Sequence, residues 1–186
     1  MPDEPHLWAR PLSPEFSADF FRLHDRADCG GCFCMYWHFP GDNDAWDRRD
    51  AAALRAEKER RIASEGDTGM ILYENQEPVG WMGFGKRSSY PKLAAKHILP
   101  AGPDDLWSIV CFQVLPDKRR QGYARVLLAV GLEHLQRMGV KEVEAYPRAG
   151  QLPDEDAWTG PLKVYLDAGF RVVAGDPERP VVRKSL

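Results

Sequence analysis

The 186-residue chain has no apolar run approaching the roughly 20 residues of a membrane-spanning helix, so no membrane partner is expected. It has no basic surplus. Lys and Arg number 25 against 28 Asp and Glu, a net charge of −3, which excludes a general nucleic-acid-binding surface. The first residues, MPDEPHLWAR, lack the basic-then-apolar order of a signal peptide, so a cytoplasmic location is expected. There the four cysteines read as thiols, not as a disulfide framework. Neither G-x-x-x-x-G-K-[ST] nor G-x-G-x-x-G occurs, which excludes a Walker loop and a dinucleotide fingerprint. Internal repeats, linkers and low-complexity segments are also missing.

What is present is ordinary in bulk: 44% hydrophobic and 28% charged residues, in a length that suits one domain over residues 1–186 with a sizeable core. The organising stretch runs from Trp107 to Met138. Trp107–Val114 is nearly all apolar, as in a strand covered on both faces. Leu115–Gln121 is a tight basic turn containing Lys118, Arg119 and Arg120. From Gly122 to Met138 a helix is expected, with Ala124, Leu127, Leu128, Gly131, Leu135 and Met138 on one apolar stripe. A basic turn that opens a helix is an anion site. The first helical N–H groups have no internal partner, the helix dipole is positive there, and Gly122 lets a ligand approach the backbone. Phosphate or pyrophosphate is the natural guest.

Val114-Leu115-Pro116 followed by Arg119-Arg120-Gln121-Gly122-Tyr123-Ala124 resembles the acyl-CoA-binding motif R/Q-x-x-G-x-G/A of the GNAT superfamily of N-acetyltransferases. Leu162 to Phe170, with Tyr165 ahead of Gly169-Phe170, resembles the family's Y-x-x-x-G-F segment in the usual order. The resemblance covers residues 68–183 well and the first 60 loosely. It implies an α/β (α+β) fold: a mixed, largely antiparallel twisted sheet flanked by helices. Trp107–Val114 and Val140–Tyr146 would be a splayed strand pair holding acyl-CoA. It also implies acetyl-CoA as cofactor and CoA as product. The amides of Gln121, Gly122, Tyr123 and Ala124, with Arg119 and Arg120, would hold the pyrophosphate. The backbone of Phe112, Gln113 and Val114 would pair with the pantetheine arm.

The remaining chain reads as follows. His6–Arg10 is a first strand, and Ser13-Pro14-Glu15 starts a helix with Phe16, Phe20 and Leu23 or His24 turned inward. Asp28–Gly41 holds Cys29, Cys32 and Cys34 as C-x-x-C-x-C, then His38. Those residue types suit zinc, but a second ligand pair is missing, so no metal is expected and a packed aromatic segment is favoured. The Cys-Met-x-Trp run there resembles one bacterial subgroup of the family, which makes Trp37 and Cys34 candidates for the acceptor site. Asp44–Ser64 is a charge-rich helix closed by Gly66. Thr68–Glu74 and Val79–Lys86 form a hairpin. Arg87–Asp105 reads as a surface connection, with Arg87, Tyr90 and His97 as candidates to face the acceptor. A helix ending at Ala168 and strands at Phe170–Ala174 and Val181–Lys184 complete the chain.

The implied reaction is direct attack of a neutral amine on a thioester. The resemblance makes Tyr165 the acid for the departing thiolate and a backbone N–H near Val114 the oxyanion donor. Gln113 and Cys111 stand on the cofactor strand, where some members carry a glutamate, so Glu144, Tyr146 or water remain as bases. The expected acceptor is a primary amine of a small molecule. The alternatives are a protein or peptide N-acetyltransferase, a non-catalytic acyl-CoA-binding module, and a zinc-binding interaction module. A homodimer is left open.

Overall fold

The structure, a computed structural model, describes residues 6–65, 69–94, 99–150, 153 and 157–186. Its strands are β1 (Leu7–Pro11), β2 (Gly69–Glu74), β3 (Glu77–Lys86), β4 (Trp107–Val114), β5 (Glu142–Ala145), β6 (Arg171–Gly175) and β7 (Pro180–Ser185). They lie side by side as β1-β2-β3-β4-β5-β7-β6. Every pairing is antiparallel except β4 with β5. The helices are α1 (Ser17–Arg26), α2 (Asn43–Asp47), α3 (Ala51–Glu65), α4 (Pro91–Ala94), α5 (Tyr123–Arg137) and α6 (Leu162–Asp167). This is the mixed, mostly antiparallel sheet with flanking helices that the sequence implies.

Adjacent residues of β3 show how the sheet is covered. Trp81 meets Phe20 of α1 edge-on at 4.8 Å. Its neighbour Met82 points to the opposite face and lies under Gly131 of α5, where an added Cβ would stand 1.9 Å from its Cε. The missing side chain therefore lets α5 sit close on the sheet. Leu127, Leu128 and Leu135 bury the rest of that helix face. Met138, expected on the same stripe, is 43% exposed because it follows the last turn of α5.

Two helical expectations are corrected. Ser13 makes no side-chain cap. Pro14–Phe16 forms a 3₁₀ turn, and α1 begins at Ser17. The charge-rich segment is two helices, because aspartates restart it. Asp42 accepts from the Ala45 amide at 2.8 Å to open α2, and Asp50 accepts from the Ala52 and Ala53 amides at 2.8 and 3.2 Å at the start of α3. Its proposed stop at Gly66 lies outside the described residues. Among the described residues no helix is long and apolar enough to cross a membrane.

The feature that positions the site is a partial pairing. β5 pairs with β4 only at Trp107, Ser108 and Ile109, through Val143, Glu144 and Ala145. β4 then runs on to Val114 while β5 has ended, so the sheet opens into a gap.

Behind the sheet, His24 is 2% exposed and bonds the Phe20 carbonyl through Nδ1 at 2.9 Å. Burial pushes its pKa down to about 3, with the nearby Lys58 charge acting the same way against that hydrogen bond. The folded chain therefore keeps His24 neutral, while the unfolded chain protonates it below 6.5. The unfolded state binds the extra proton, so stability is complete above that value and falls as pH drops toward 3. Urea unfolding is expected to show a loss from His24 of about 1.4 kcal/mol per pH unit in that window. His24→Leu removes this increment. An unchanged slope in the variant would mean that His24 is not held neutral.

Candidate active site

The gap widens into a cleft of about 1550 Å³. Cys111–Val114 of β4 forms one wall, and the turn from Lys118 to Arg125 contributes another. The segment from Asp28 to Asp47 and the Ala157–Val164 stretch close the rest.

The basic turn is shaped for an anion by its backbone. Arg120 (φ 61°) and Gly122 (φ 85°) both adopt the left-handed conformation, and α5 starts directly afterwards. A Cβ built on Gly122 would meet nothing within 4 Å, so this backbone faces open cleft. As first residues of α5, Tyr123 and Ala124 present N–H groups with no intrahelical acceptor. Left-handed residues beside a helix start form a concave nest of amide donors, which is suited to phosphate oxygens.

The neighbouring cations brace this turn. Lys118 and the Tyr123 hydroxyl both bond Glu74 at the end of β2. Arg119 grips Asp28 with two hydrogen bonds, at 2.8 and 2.6 Å, and sends Nε to the Val114 carbonyl at 3.0 Å. The expectation that Arg119 contributes an open charge to the anion is thus modified. Its guanidinium ties the N-terminal segment to the end of β4, and holds the Asp28 carboxyl below its usual range.

The edge of β4 corrects the expected pantetheine contacts. Leu115 N donates to Val79 O at 3.0 Å, which sets the alternation. Cys111 and Gln113 turn their backbones toward β3, and Val110, Phe112 and Val114 turn theirs into the gap. Gln113 therefore presents its side chain to the cleft, not its backbone. Three groups of the open edge are already used. Trp37 donates Nε1 to Val110 O at 2.7 Å, Phe112 N donates to Trp158 O at 2.6 Å, and Arg119 Nε takes Val114 O. The Val114 amide and the Phe112 carbonyl remain directed into the gap.

Tyr165 lies on α6 with no exposure, and its hydroxyl donates to the Thr159 carbonyl at 2.9 Å. It sits behind the Thr159-Gly160 turn, with its ring near Phe112 at 6.2 Å. Burial pushes its phenol well above the usual range, so it stays protonated.

Glu144, expected as a base, is engaged on every side. It is fully buried and takes hydrogen bonds from Arg183 (2.6 and 3.1 Å), Arg87 (3.3 Å) and the Tyr146 hydroxyl (2.8 Å). These donors occupy both carboxylate oxygens, so neither is directed at the cleft. The connection expected as a plain surface loop is drawn into this cluster. Arg87 also bonds Pro100 O and Arg183 bonds Ala101 O. Tyr90 is buried against His38, whose Nδ1 meets Arg61 at 2.9 Å. His97 lies outside the described residues.

Sequence reasoning named Trp37 for the far end of the cleft but missed Trp46 and Trp158. Tyr36 meets Trp37 (5.1 Å), Trp46 (5.2 Å) and Trp158 (5.2 Å), and Trp37 reaches Tyr146 (5.9 Å). Asn43 and Asp47 lie on the same wall. Trp46 stands in a charge-rich helix and Trp158 in a loop. An isolated Trp in each setting is the available signal. Among the described residues no three His, Cys, Asp or Glu side chains come together as a metal site.

A family model described as the acetyltransferase (GNAT) family matches residues 31–158. Comparison with curated proteins gives no match. Among solved structures, an acetyltransferase from Thermus thermophilus is similar with a TM-score of 0.56 and 17% identity, over 97% of each chain. The PaiA N-acetyltransferase of Thermoplasma acidophilum, in complex with coenzyme A, gives 0.57 at 12% identity, over 97% of this chain and 99% of that one. Diaminobutyrate acetyltransferase EctA from Paenibacillus lautus, in complex with L-2,4-diaminobutyric acid and coenzyme A, gives 0.52 at 13% identity, over 97% and 95%. At these identities the likeness shows a shared fold.

The arginine clamp sets a measurable expectation. Glu144→Ala leaves two partly buried guanidiniums without their carboxylate, so urea unfolding should show a loss of about 3–5 kcal/mol. A loss below about 1 kcal/mol, the usual value of an exposed pair, would show that the clamp is not tight.

Proposed function

Because the chain belongs to the acetyltransferase (GNAT) family, whose enzymes use acetyl-CoA, we propose that it transfers the acetyl group to a primary amine of a small molecule. The observation that carries this reading is the aromatic end of the cleft. Tyr36, Trp37, Trp46 and Trp158 pack ring against ring at 5.1–5.9 Å and build one aromatic wall, which supports a compact acceptor over a peptide. Aromatic faces attract an ammonium; Arg49 and Lys92 already lie over Trp46 and Tyr36 at 4.6 Å, so Trp37 and Trp158, with the Asp47 carboxylate on the same wall, are the faces proposed for the acceptor amine. The complex of EctA with diaminobutyric acid is an instance of a small amine acceptor on this fold.

The residues fit the cofactor. Amides of Gln121, Gly122, Tyr123 and Ala124, with Arg120 beside them, are proposed to hold the pyrophosphate at the positive end of α5. The Val114 amide and Phe112 carbonyl extend the sheet edge to the pantetheine arm, as a strand would. Bound acetyl-CoA supplies an activated acyl group as a thioester. The chain orients the amine on the aromatic wall, and the amine's proton leaves through water, since Glu144 is committed to its arginines. A backbone N–H at the gap is proposed to meet the developing oxyanion.

Purified protein is to be incubated with acetyl-CoA and a panel of small amines, following thiol release and acetylated mass together. A new acetylated amine supports the reading. Acetylation of peptide amines alone would replace it with a protein acetyltransferase. Thermal stabilisation by acetyl-CoA without turnover would replace it with a binding module.

Tyr165 is proposed as the acid, delivering its proton to the thiolate once its hydroxyl turns from Thr159. Tyr165→Phe should then lower kcat by about 10²-fold or more while the KM for acetyl-CoA changes little. Unchanged kcat would leave Tyr165 as a residue that only pins the Thr159-Gly160 turn.

A further inference from the structure

The acetyl transfer proposed above assigns no role to the C-x-x-C run, yet its geometry is specific. Cys29-Gly30-Gly31-Cys32 is a β-turn closed by Cys32 N to Cys29 O at 3.3 Å. Gly30 (φ 58°) and Gly31 (φ 67°) are both left-handed, as a type I′ turn requires. Such a turn brings its end Cα atoms within about 7 Å, and disulfides span about 4.4–6.8 Å. The two thiols lie close enough for each to shift the other's titration, and Cys29 Sγ also lies 4.0 Å from the His24 carbonyl.

The pair is also polarised. The Cys32 hydrogen bond, assisted by the Gln113 side chain and opposed by burial, pulls the Cys29 thiol down to about 6. The same hydrogen bond, with burial, pushes Cys32 up. Cys29 is therefore the more readily ionised sulfur and Cys32 the one that keeps its proton, the arrangement that favours thiol–disulfide exchange. Gln113 is 8% exposed and its Oε1 finds no partner among the described residues, consistent with an amide turned toward sulfur. Cys29 and Cys32 are half-buried, and both line the same cleft as Phe112, Val114 and Gly122. Cys34 and Cys111 form a second, buried thiol pair with no such turn.

We propose that the Cys29–Cys32 turn is a thiol–disulfide exchange site whose substrate is the disulfide of the cofactor's own thiol, coenzyme A disulfide. This rests on the assignment of the cleft to coenzyme A. The Cys29 thiolate attacks one sulfur of the ligand, forming Cys29–S–S–CoA and breaking the ligand's S–S bond. One CoA thiolate leaves and takes a proton from water. Cys32 then attacks the Cys29 sulfur, and its proton goes to the second departing CoA thiolate. Two cysteine thiols are oxidised to one disulfide, and one ligand disulfide is reduced to two thiols. The turn therefore records in the protein whether the CoA pool around it is reduced or oxidised.

The test exposes the full chain to coenzyme A disulfide and reads intact mass and peptide maps. The expected result is loss of two hydrogens, a Cys29–Cys32 crosslink and reversal by dithiothreitol. Cys32→Ser should stop at a CoA adduct on Cys29. Reduced CoA at ten times its dissociation constant should slow the reaction roughly tenfold by occupying the cleft. Four unmodified thiols, an adduct confined to Cys34 or Cys111, or no protection by CoA would each overturn the proposal. Melting with reduced CoA is measured on the same sample. A raised melting temperature with no crosslink rejects the exchange site alone. An unmoved one rejects the cleft assignment beneath it.

Discussion

The parting of β4 and β5 after Ile109 and Ala145 is the constraint on which the rest of the molecule depends. A strand buried on both faces that loses its neighbour exposes a row of backbone donors and acceptors inside the protein. Each unpaired one costs free energy comparable to a lost hydrogen bond. The chain offsets part of that cost itself. Trp37 covers the Val110 carbonyl, the Trp158 carbonyl covers the Phe112 amide, and Arg119 covers the Val114 carbonyl. What it leaves directed into the gap is what a strand-like ligand can take. The same three contacts bring distant parts of the chain together at one edge: the N-terminal segment, the turn before α6 and the turn before α5. The cleft is therefore assembled by satisfying that edge.

Charge around the anion turn is organised in the same way. Lys118, Arg119 and Tyr123 commit their polar atoms to Glu74 and Asp28. These pairs tie the turn to β2 and to the N-terminal segment, and hold a backbone with two left-handed residues, Arg120 and Gly122, in one conformation. The positive character offered to a ligand then comes from fixed amides at the start of α5, which need little reordering when an anion arrives. On the other side of the gap, Glu144 draws Arg87, Arg183 and Tyr146 into one buried cluster. That cluster ties β5 and β7 to the long connection after β3, so the short strand that stops early has a rigid reason to stay where it is.

The legibility of the sequence divides along physical lines. β4 is bounded at Trp107 and Val114 by its apolar run alone, because a strand covered on both faces must be apolar at nearly every position. α5 is legible from its 3.6-residue period and from Gly122, and the β2–β3 hairpin from its turn residues. Apart from the two helix starts, where local capping decides, the readings that need revision depend on partners far along the chain. Arg119 reads as a free cation until Asp28, 91 positions away, is folded against it. Glu144 reads as a candidate base until Arg87 and Arg183, 57 and 39 positions away, close on it. Gln113 reads as a backbone ligand until the pairing of β4 with β3 fixes which residues face the gap.

By itself, then, the sequence determined the local grammar. Periodicity, turn residues and the order strand–basic turn–helix depend on neighbours a few positions apart, and those neighbours are written next to one another. That grammar gave a turn suited to an anion, and the resemblance of its motif to the GNAT superfamily implied the fold class and the acyl-CoA cofactor. Only the tertiary structure decided which charges were paired and which amides stayed open. It alone gathered Tyr36, Trp37, Trp46 and Trp158 into one wall, and placed the Cys29–Cys32 turn in the same cleft as β4. The reason is that hydrogen-bond satisfaction and charge pairing are settled by distance in space, and a linear chain records only distance along itself.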